Sequence, residues 1–355
     1  MSWFLAFAGF SALVILHELG HFIVAKKVGM RVERFFLFFP PKLWSVQRGE
    51  TEYGIGAIPA GGFVKITGMN PDEELTPEVA SRAYYNQPVW KRIAVILAGP
   101  AMNLLVCFAI LFVLAFGVRE ATTGVARVTP GTPAASALRA GDRVIAIDGV
   151  RGNQVALARQ LGHHRCAGPQ RDGCRAATPA KVELLRAGHR LTLEIRPFFD
   201  AAAGRQRLGF EFASRPLHPS PLRAAGISAQ FMGDVTTKTV GVIARLFDAK
   251  QREQVSGIVG GYEATRQAIQ FDARQALTLI AVISLSLAVI NLFPFLPLDG
   301  GHIFWSLVEK VRGRPVSFRV MERAGAVGFA LVLMLFFVGL SNDIGRLTGQ
   351  GFGVH

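Results

Sequence analysis

The sequence predicts an α-helical polytopic membrane protein with about four transmembrane helices, a cytosolic β-hairpin and one extracytoplasmic α+β domain. Three observations lead there. Half of the 355 residues are hydrophobic and only 18% are charged, and the mean hydropathy of +0.33 is too high for an ordinary soluble chain. Four apolar stretches, Trp3 to Ala25, Ile93 to Val118, Ala276 to Leu298 and Ala324 to Leu340, approach or exceed the roughly 20 helical residues that cross a hydrocarbon core. Between the second and third lies a long hydrophilic segment, Arg119 to Arg274, where short apolar runs alternate with glycine and proline turns.

The first stretch reads as a retained helix and not as a secretory signal. Met1-Ser2 carries no Lys or Arg, and His17, Glu18 and His21 interrupt the apolar run. Orientation follows from the basic residues of the short loops. Ten Lys and Arg lie between Lys26 and Arg92 and five between Gly300 and Arg323, against one, Arg346, after Leu340. Both ends are therefore expected outside, the two basic loops inside, and the 156 residues from Arg119 to Arg274 outside. Long translocated segments escape the positive-inside rule, so the basicity of that segment is no contradiction.

Residues 1–120 then form the first part of the membrane core, with two spans and the cytosolic hairpin. Its strands are Glu52 to Ile58 and Phe63 to Ile66, joined by Pro59-Ala60-Gly61-Gly62. Gly99-Pro100-Ala101-Met102-Asn103 interrupts the second span, where Pro and Asn fit only beside a pocket. Residues 121–215 read as the outer domain. Val125 to Val128 is a strand, Pro130-Gly131-Thr132-Pro133 opens a short helix through Leu138, and Arg143 to Ile147 is a buried strand. A hairpin turning at Ala187-Gly188 follows, with Leu191, Leu193 and Ile195 alternating with polar residues. Pro216, Pro219 and Pro221 mark residues 216–274 as a linker with amphipathic helices over Val240 to Leu246 and Tyr262 to Ile269. Residues 275–355 complete the membrane core with two more spans.

A formal net charge of +14 raises the question of nucleic acid. The charge is spread over membrane flanks and an outer domain, which argues for no nucleic-acid partner and for contact with membrane lipid. Cys166 and Cys174, eight apart in the outer domain, are disulfide candidates, with a second metal site beside His163 and His164 as the other reading. Cys107, in the second span, reads as packing.

His17-Glu18-Leu19-Gly20-His21 carries the chemistry. Helical residues four apart share a face with Cβ atoms about 6 Å apart, which suits two imidazoles on one Zn2+. Glu18 sits where a carboxylate takes a proton from water activated by the metal. Ionisable groups inside a membrane helix are costly and mark function. Catalytic zinc keeps three protein ligands, and Asp299 fits as the third. It follows Asn291-Leu292-Phe293-Pro294-Phe295-Leu296-Pro297-Leu298, whose two prolines break the helix at membrane depth. His302, one turn further on, is the rival.

On these residues the chain resembles the site-2 proteases, the zinc enzymes of regulated intramembrane proteolysis. The resemblance rests on His17 to His21, Gly99 to Asn103, Pro59-Ala60-Gly61-Gly62-Phe63-Val64-Lys65 and Asn291 to Gly301. It covers the membrane core and an outer domain that looks like a single PDZ domain, as in the actinobacterial-type members. It implies a zinc metalloendopeptidase of the cell membrane with its site toward the cytoplasm. His17, His21 and Asp299 would hold Zn2+, Glu18 would act as general base, and Asn291 would lie near the scissile bond, where an amide can stabilise the oxyanion. The hairpin, with Gly61, Gly62, Phe63 and Val64, would pair with an unwound substrate. Asn103 either lines the same cavity or bonds a neighbouring helix. The substrates implied are single-span membrane proteins such as anti-sigma factors. No Gly-Leu-Gly-Phe-like loop is found around Gly124, so a size filter is preferred to peptide binding for the outer domain. A membrane metal transporter or sensor also uses His and Asp in helices, but has no use for Glu18.

Overall fold

The computed structural model describes residues 2–70, 73–201, 203–244 and 257–348. The chain divides into two compact units, Met1–Ala115 with Pro221–His355, and Phe116–Ser220. The first begins with helix α1 (Ser2–Lys27), strands β1 (Val32–Arg48) and β2 (Thr51–Ile66), the single turn α2 (Pro77–Ala80) and helix α3 (Val89–Ala115). The expected hairpin has a third participant. Phe35 of β1 stands opposite both Tyr53 and Val64 of β2, and Leu37 opposite both Ile55 and Gly62. The start of β1 thus lies between the two runs that were expected to pair, and Gly62–Ile66 occupies an edge. The run Phe35-Phe36-Leu37-Phe38-Phe39 has no polar alternation, which hid it as a strand.

Phe116–Ser220 holds β3 (Arg119–Val128), β4 (Arg143–Ile147), β5 (Val150–Arg151), helix α4 (Gln154–Leu161), β6 (Ala180–Arg186), β7 (His189–Ile195), β8 (Phe198–Asp200), β9 (Arg205–Arg207) and β10 (Phe210–Pro216). The main sheet runs β10-β3-β4-β6-β7, with β5 on β4 and β8 paired with β9 separately. Val125, Val144, Ile147, Leu157, Val182 and Leu184 form its core, each contributing about 1.5–3 kcal/mol by leaving water. Asn153 caps α4 by accepting from Ala156 N–H at 3.0 Å. Cys166 and Cys174 are joined by a disulfide.

The chain returns to the first unit with α5 (Pro221–Ala244), α6 (Ile258–Phe271), α7 (Ala273–Asn291), α8 (Asp299–Arg312) and α9 (Phe318–Thr348). Among the described residues four helices are long and apolar enough to cross a membrane: Ser2–Lys27, Val89–Ala115, Ala273–Asn291 and Arg319–Gly345. Two boundaries differ from expectation for local reasons. The third span stops at Asn291 and not at Leu298, because Pro294 and Pro297 lack the N–H that would continue it. The fourth is longer than its apolar run. Residues 221–244 form a full helix, since Pro221 takes the first helical position, where its missing N–H costs nothing. Phe231, Met232 and Val235 of α5 pack against Cys107 and Leu111 of α3 and Ala281 and Leu285 of α7. Val240 to Leu246 runs past the described residues. α6 lies on the start of α1, where Tyr262 donates to Trp3 O at 2.8 Å, and Asp343 of α9 accepts from Gly257 and Gly260 N–H.

In the second unit, buried Asp142 receives two hydrogen bonds from Arg186, at 2.8 and 2.7 Å, and one from Arg139 N–H. The Arg186 guanidinium holds the Asp142 carboxyl below its ordinary value. A carboxyl lowered by folding stabilises the fold above its unfolded pKa of about 3.9 and loses that contribution as pH falls through the lowered value. Asp142→Asn in the intact chain is therefore expected to raise hydrogen exchange in β4 and β6 at pH 7, by an opening cost lower by on the order of 2 kcal/mol. The difference from wild type shrinks as pH falls below about 4; equal exchange at pH 7 would contradict it.

Candidate metal centre

α1 presents His17 and His21 on one face because they are four residues apart, and α8 brings Asp299 to them from its first residue. His17 Nε2 and His21 Nε2 are 3.2 Å apart. Asp299 Oδ2 lies 3.1 Å from the first and 3.4 Å from the second. Among the described residues these three are the His, Cys, Asp or Glu side chains close enough to share an ion. His302 stands outside the triangle. It lines a cavity of 230 Å³ with Tyr84, Tyr85, Arg92, Trp305 and Glu309.

The donor set fits zinc. Tetrahedral Zn2+ with bonds of about 2.0–2.1 Å spaces its ligand atoms about 3.3 Å apart, close to the edges of this triangle. The His21 Nδ1 lies 2.8 Å from Val95 O, and a carbonyl only accepts, so Nδ1 carries the proton and Nε2 of the neutral ring presents a lone pair. Asp299 Oδ2 is buried and receives no hydrogen bond among the described residues. Lone pairs converging on one point repel unless a cation lies among them.

Close helix contact builds this geometry. A Cβ on Gly99 of α3 would lie 2.2 Å from His21 Nε2 and 2.8 Å from His17 Nε2, so only glycine leaves room for the two rings. Gly300 does the same for Asp299: a Cβ there would meet Leu292 O and Phe293 O at 2.2 and 2.3 Å, so α8 starts directly on the turn that the two prolines make. Below the site, Arg92 of α3, buried, is held by Glu309 of α8 through bonds of 2.9 and 2.6 Å. That pair fixes the helix that carries Asp299.

Glu18 is half-buried beside the triangle, within electrostatic reach of His17, His21 and Asp299. The edge run of β2 approaches it. A Cβ on Gly62 would lie 3.5 Å from Glu18 Cγ, and the Val64 backbone comes within electrostatic reach of the same carboxylate. Phe63 stacks on Phe36 and Phe39 at 5.4 and 6.0 Å, and Gly61 sits against Phe39 and Val14. Asn291 ends α7, half-buried. Asn103, fully buried on α3, points its amide at His17 Nδ1, 3.1 Å away. Sequence reasoning missed the Val95 carbonyl, which no side chain announces, and the Arg92–Glu309 pair, whose members are 217 residues apart.

A model of peptidase family M50 matches residues 5–335. The chain is similar to zinc metalloprotease Rip1 of Mycobacterium bovis (strain BCG / Pasteur 1173P2), 31% identical over 382 residues that cover 94% of this chain and 92% of that protein. Putative zinc metalloprotease CPE1693 of Clostridium perfringens is 32% identical over 354 residues, 96% and 97% of the two chains. Putative zinc metalloprotease R01501 of Rhizobium meliloti is 31% identical over 364 residues, 95% and 94%. The matched span takes in α1 with both histidines, the edge run of β2 and Asp299, so the chain belongs to peptidase family M50, the site-2 proteases, and is a multi-pass membrane zinc metalloendopeptidase.

Proposed function

We propose that this enzyme cleaves single-span membrane proteins within or beside their transmembrane helices, with anti-sigma factors as the substrate class, in regulated intramembrane proteolysis. The observation that carries the reading is the triangle of His17, His21 and Asp299 with Glu18 beside it, on and next to helices of membrane-spanning length. Zinc held there by the two Nε2 atoms and Asp299 supplies Lewis acidity toward water and the peptide carbonyl. Glu18 accepts the proton of the attacking water and returns it to the amide nitrogen as the C–N bond breaks. Asn291 donates to the oxygen that gains charge.

A helical substrate must unwind before its carbonyl can be attacked. An extended segment pairing along Gly62–Ile66 would run past Glu18, because the same strand end packs against that side chain at Gly62. In the proposed topology the loops rich in Lys and Arg, with β1 and β2, face the cytoplasm of a cell membrane, and Phe116–Ser220 lies outside as a PDZ-like domain. Its role is to exclude substrates with bulky outer domains. A second reading, peptide binding, is favoured by the edge position of β10, entered through Leu208-Gly209-Phe210, far along the chain from Gly124.

Glu18→Gln, purified in detergent, is expected to keep wild-type zinc content and to lose cleavage of a panel of tagged single-span anti-sigma factors by about 100-fold or more. Cleavage surviving the change would remove Glu18 as the base, and a panel left uncut by wild type would reject the substrate class. Deleting 116–220 is expected to admit substrates with longer outer segments while the short ones are still cut. Unchanged length selectivity would contradict the filter.

A further inference from the structure

Asn103 bonds a neighbouring helix, one of the two readings its sequence position allows, and the atom it meets there belongs to His17 of α1. It is fully buried in an apolar span, where a primary amide costs free energy unless it is hydrogen-bonded. Its backbone carbonyl accepts from Ser284 Oγ at 2.9 Å, which serves the contact between α3 and α7 without using the side chain. Among the described residues the amide's one polar neighbour is His17 Nδ1, 3.1 Å from its nitrogen position, and the oxygen position at the other end has no partner. No third group therefore fixes which end of the amide faces the ring.

The ring decides it. If His17 gives its Nε2 lone pair to the metal, its proton must sit on Nδ1, and a protonated Nδ1 needs an acceptor. The two ends of a carboxamide have almost the same shape, so Asn103 meets that need by turning Oδ1 toward His17. His21 shows the same logic already in place, with its Nδ1 donating to Val95 O. Both outer partners belong to α3, and Gly99 lies between them, where its missing side chain admits the rings. One helix thus provides the clearance for both imidazoles and a hydrogen-bond acceptor behind each.

From this arrangement we infer that Asn103 is a positioning residue of the metal centre: its Oδ1 accepts the His17 Nδ1 proton, fixing the tautomer and ring angle that aim Nε2 at the ion. The inference rests on the zinc reading of the site and goes beyond it. Removing an outer partner of this kind costs about 10- to 100-fold in metal affinity.

The test measures zinc dissociation constants of full-length protein in detergent by chelator competition, together with the visible absorption of the cobalt-substituted form. Asn103→Leu, close in size and without an acceptor, is expected to weaken zinc binding by about 10- to 100-fold and to alter the cobalt bands. Asn103→Asp keeps an acceptor oxygen at the same place and is expected to stay close to wild type. Ser284→Ala removes the neighbouring packing bond and is expected to leave the affinity unchanged. Wild-type affinity in Asn103→Leu would overturn the inference. So would equal loss in Asn103→Leu and Asn103→Asp while both remain folded by circular dichroism, because packing alone would then explain the residue. Wild type that held no zinc would instead overturn the metal-centre reading itself.

Discussion

Three electron-rich atoms, two imidazole nitrogens and a carboxylate oxygen, are held within 3.4 Å of one another next to apolar helices. This arrangement is costly without a cation, and most of the first unit can be understood as what keeps it in place. α1 supplies the pair at helical spacing. The broken end of α7 turns the chain so that Asp299 reaches the histidines; Gly99 leaves room for the two rings and Gly300 lets α8 start directly on the turn at Leu292 and Phe293. The Arg92–Glu309 pair ties α3 to α8, joining the helix behind the histidines to the helix carrying the carboxylate.

The same economy extends to the sheet. The edge run of β2 reaches Glu18 at Gly62, so in the proposed mechanism the strand that would align a substrate lies beside the residue that would act as base. Coupling of this kind lets binding energy along an extended segment act at the reacting bond, which is where catalysis requires it. The second unit is built on ordinary soluble principles, an apolar core between a sheet and a short helix, with a buried ion pair and a disulfide as local reinforcement.

Much of this was legible in the sequence because it is written in period and cost. Four apolar runs give four candidate spans, and His17, Glu18, His21 and Asp299 stand out because charged or polar groups are expensive where they lie. The strand Arg143–Ile147 shows as a short apolar run between the Gly141-Asp142 and Asp148-Gly149 turns, and His189–Ile195 follows from alternation after the Ala187-Gly188 turn. What stayed hidden lacks such a signature. β1 is an unbroken apolar run with no period-two pattern, α5 begins at a proline that reads as a breaker until it is seen in first position, and the Val95 carbonyl belongs to the backbone. The Leu208-Gly209-Phe210 entry to β10 escaped because the strand next to β3 comes from the far end of the unit. Pairings between distant segments leave no mark in either segment alone.

Zinc K-edge X-ray absorption on the purified full-length enzyme tests the central claim most directly. The account predicts a shell of nitrogen and oxygen only, at about 2.0–2.1 Å, with the outer scattering of two imidazoles. A third imidazole would bring His302 into the centre in place of Asp299, and a sulfur ligand at about 2.3 Å would place the metal elsewhere in the chain; either result contradicts the site described above.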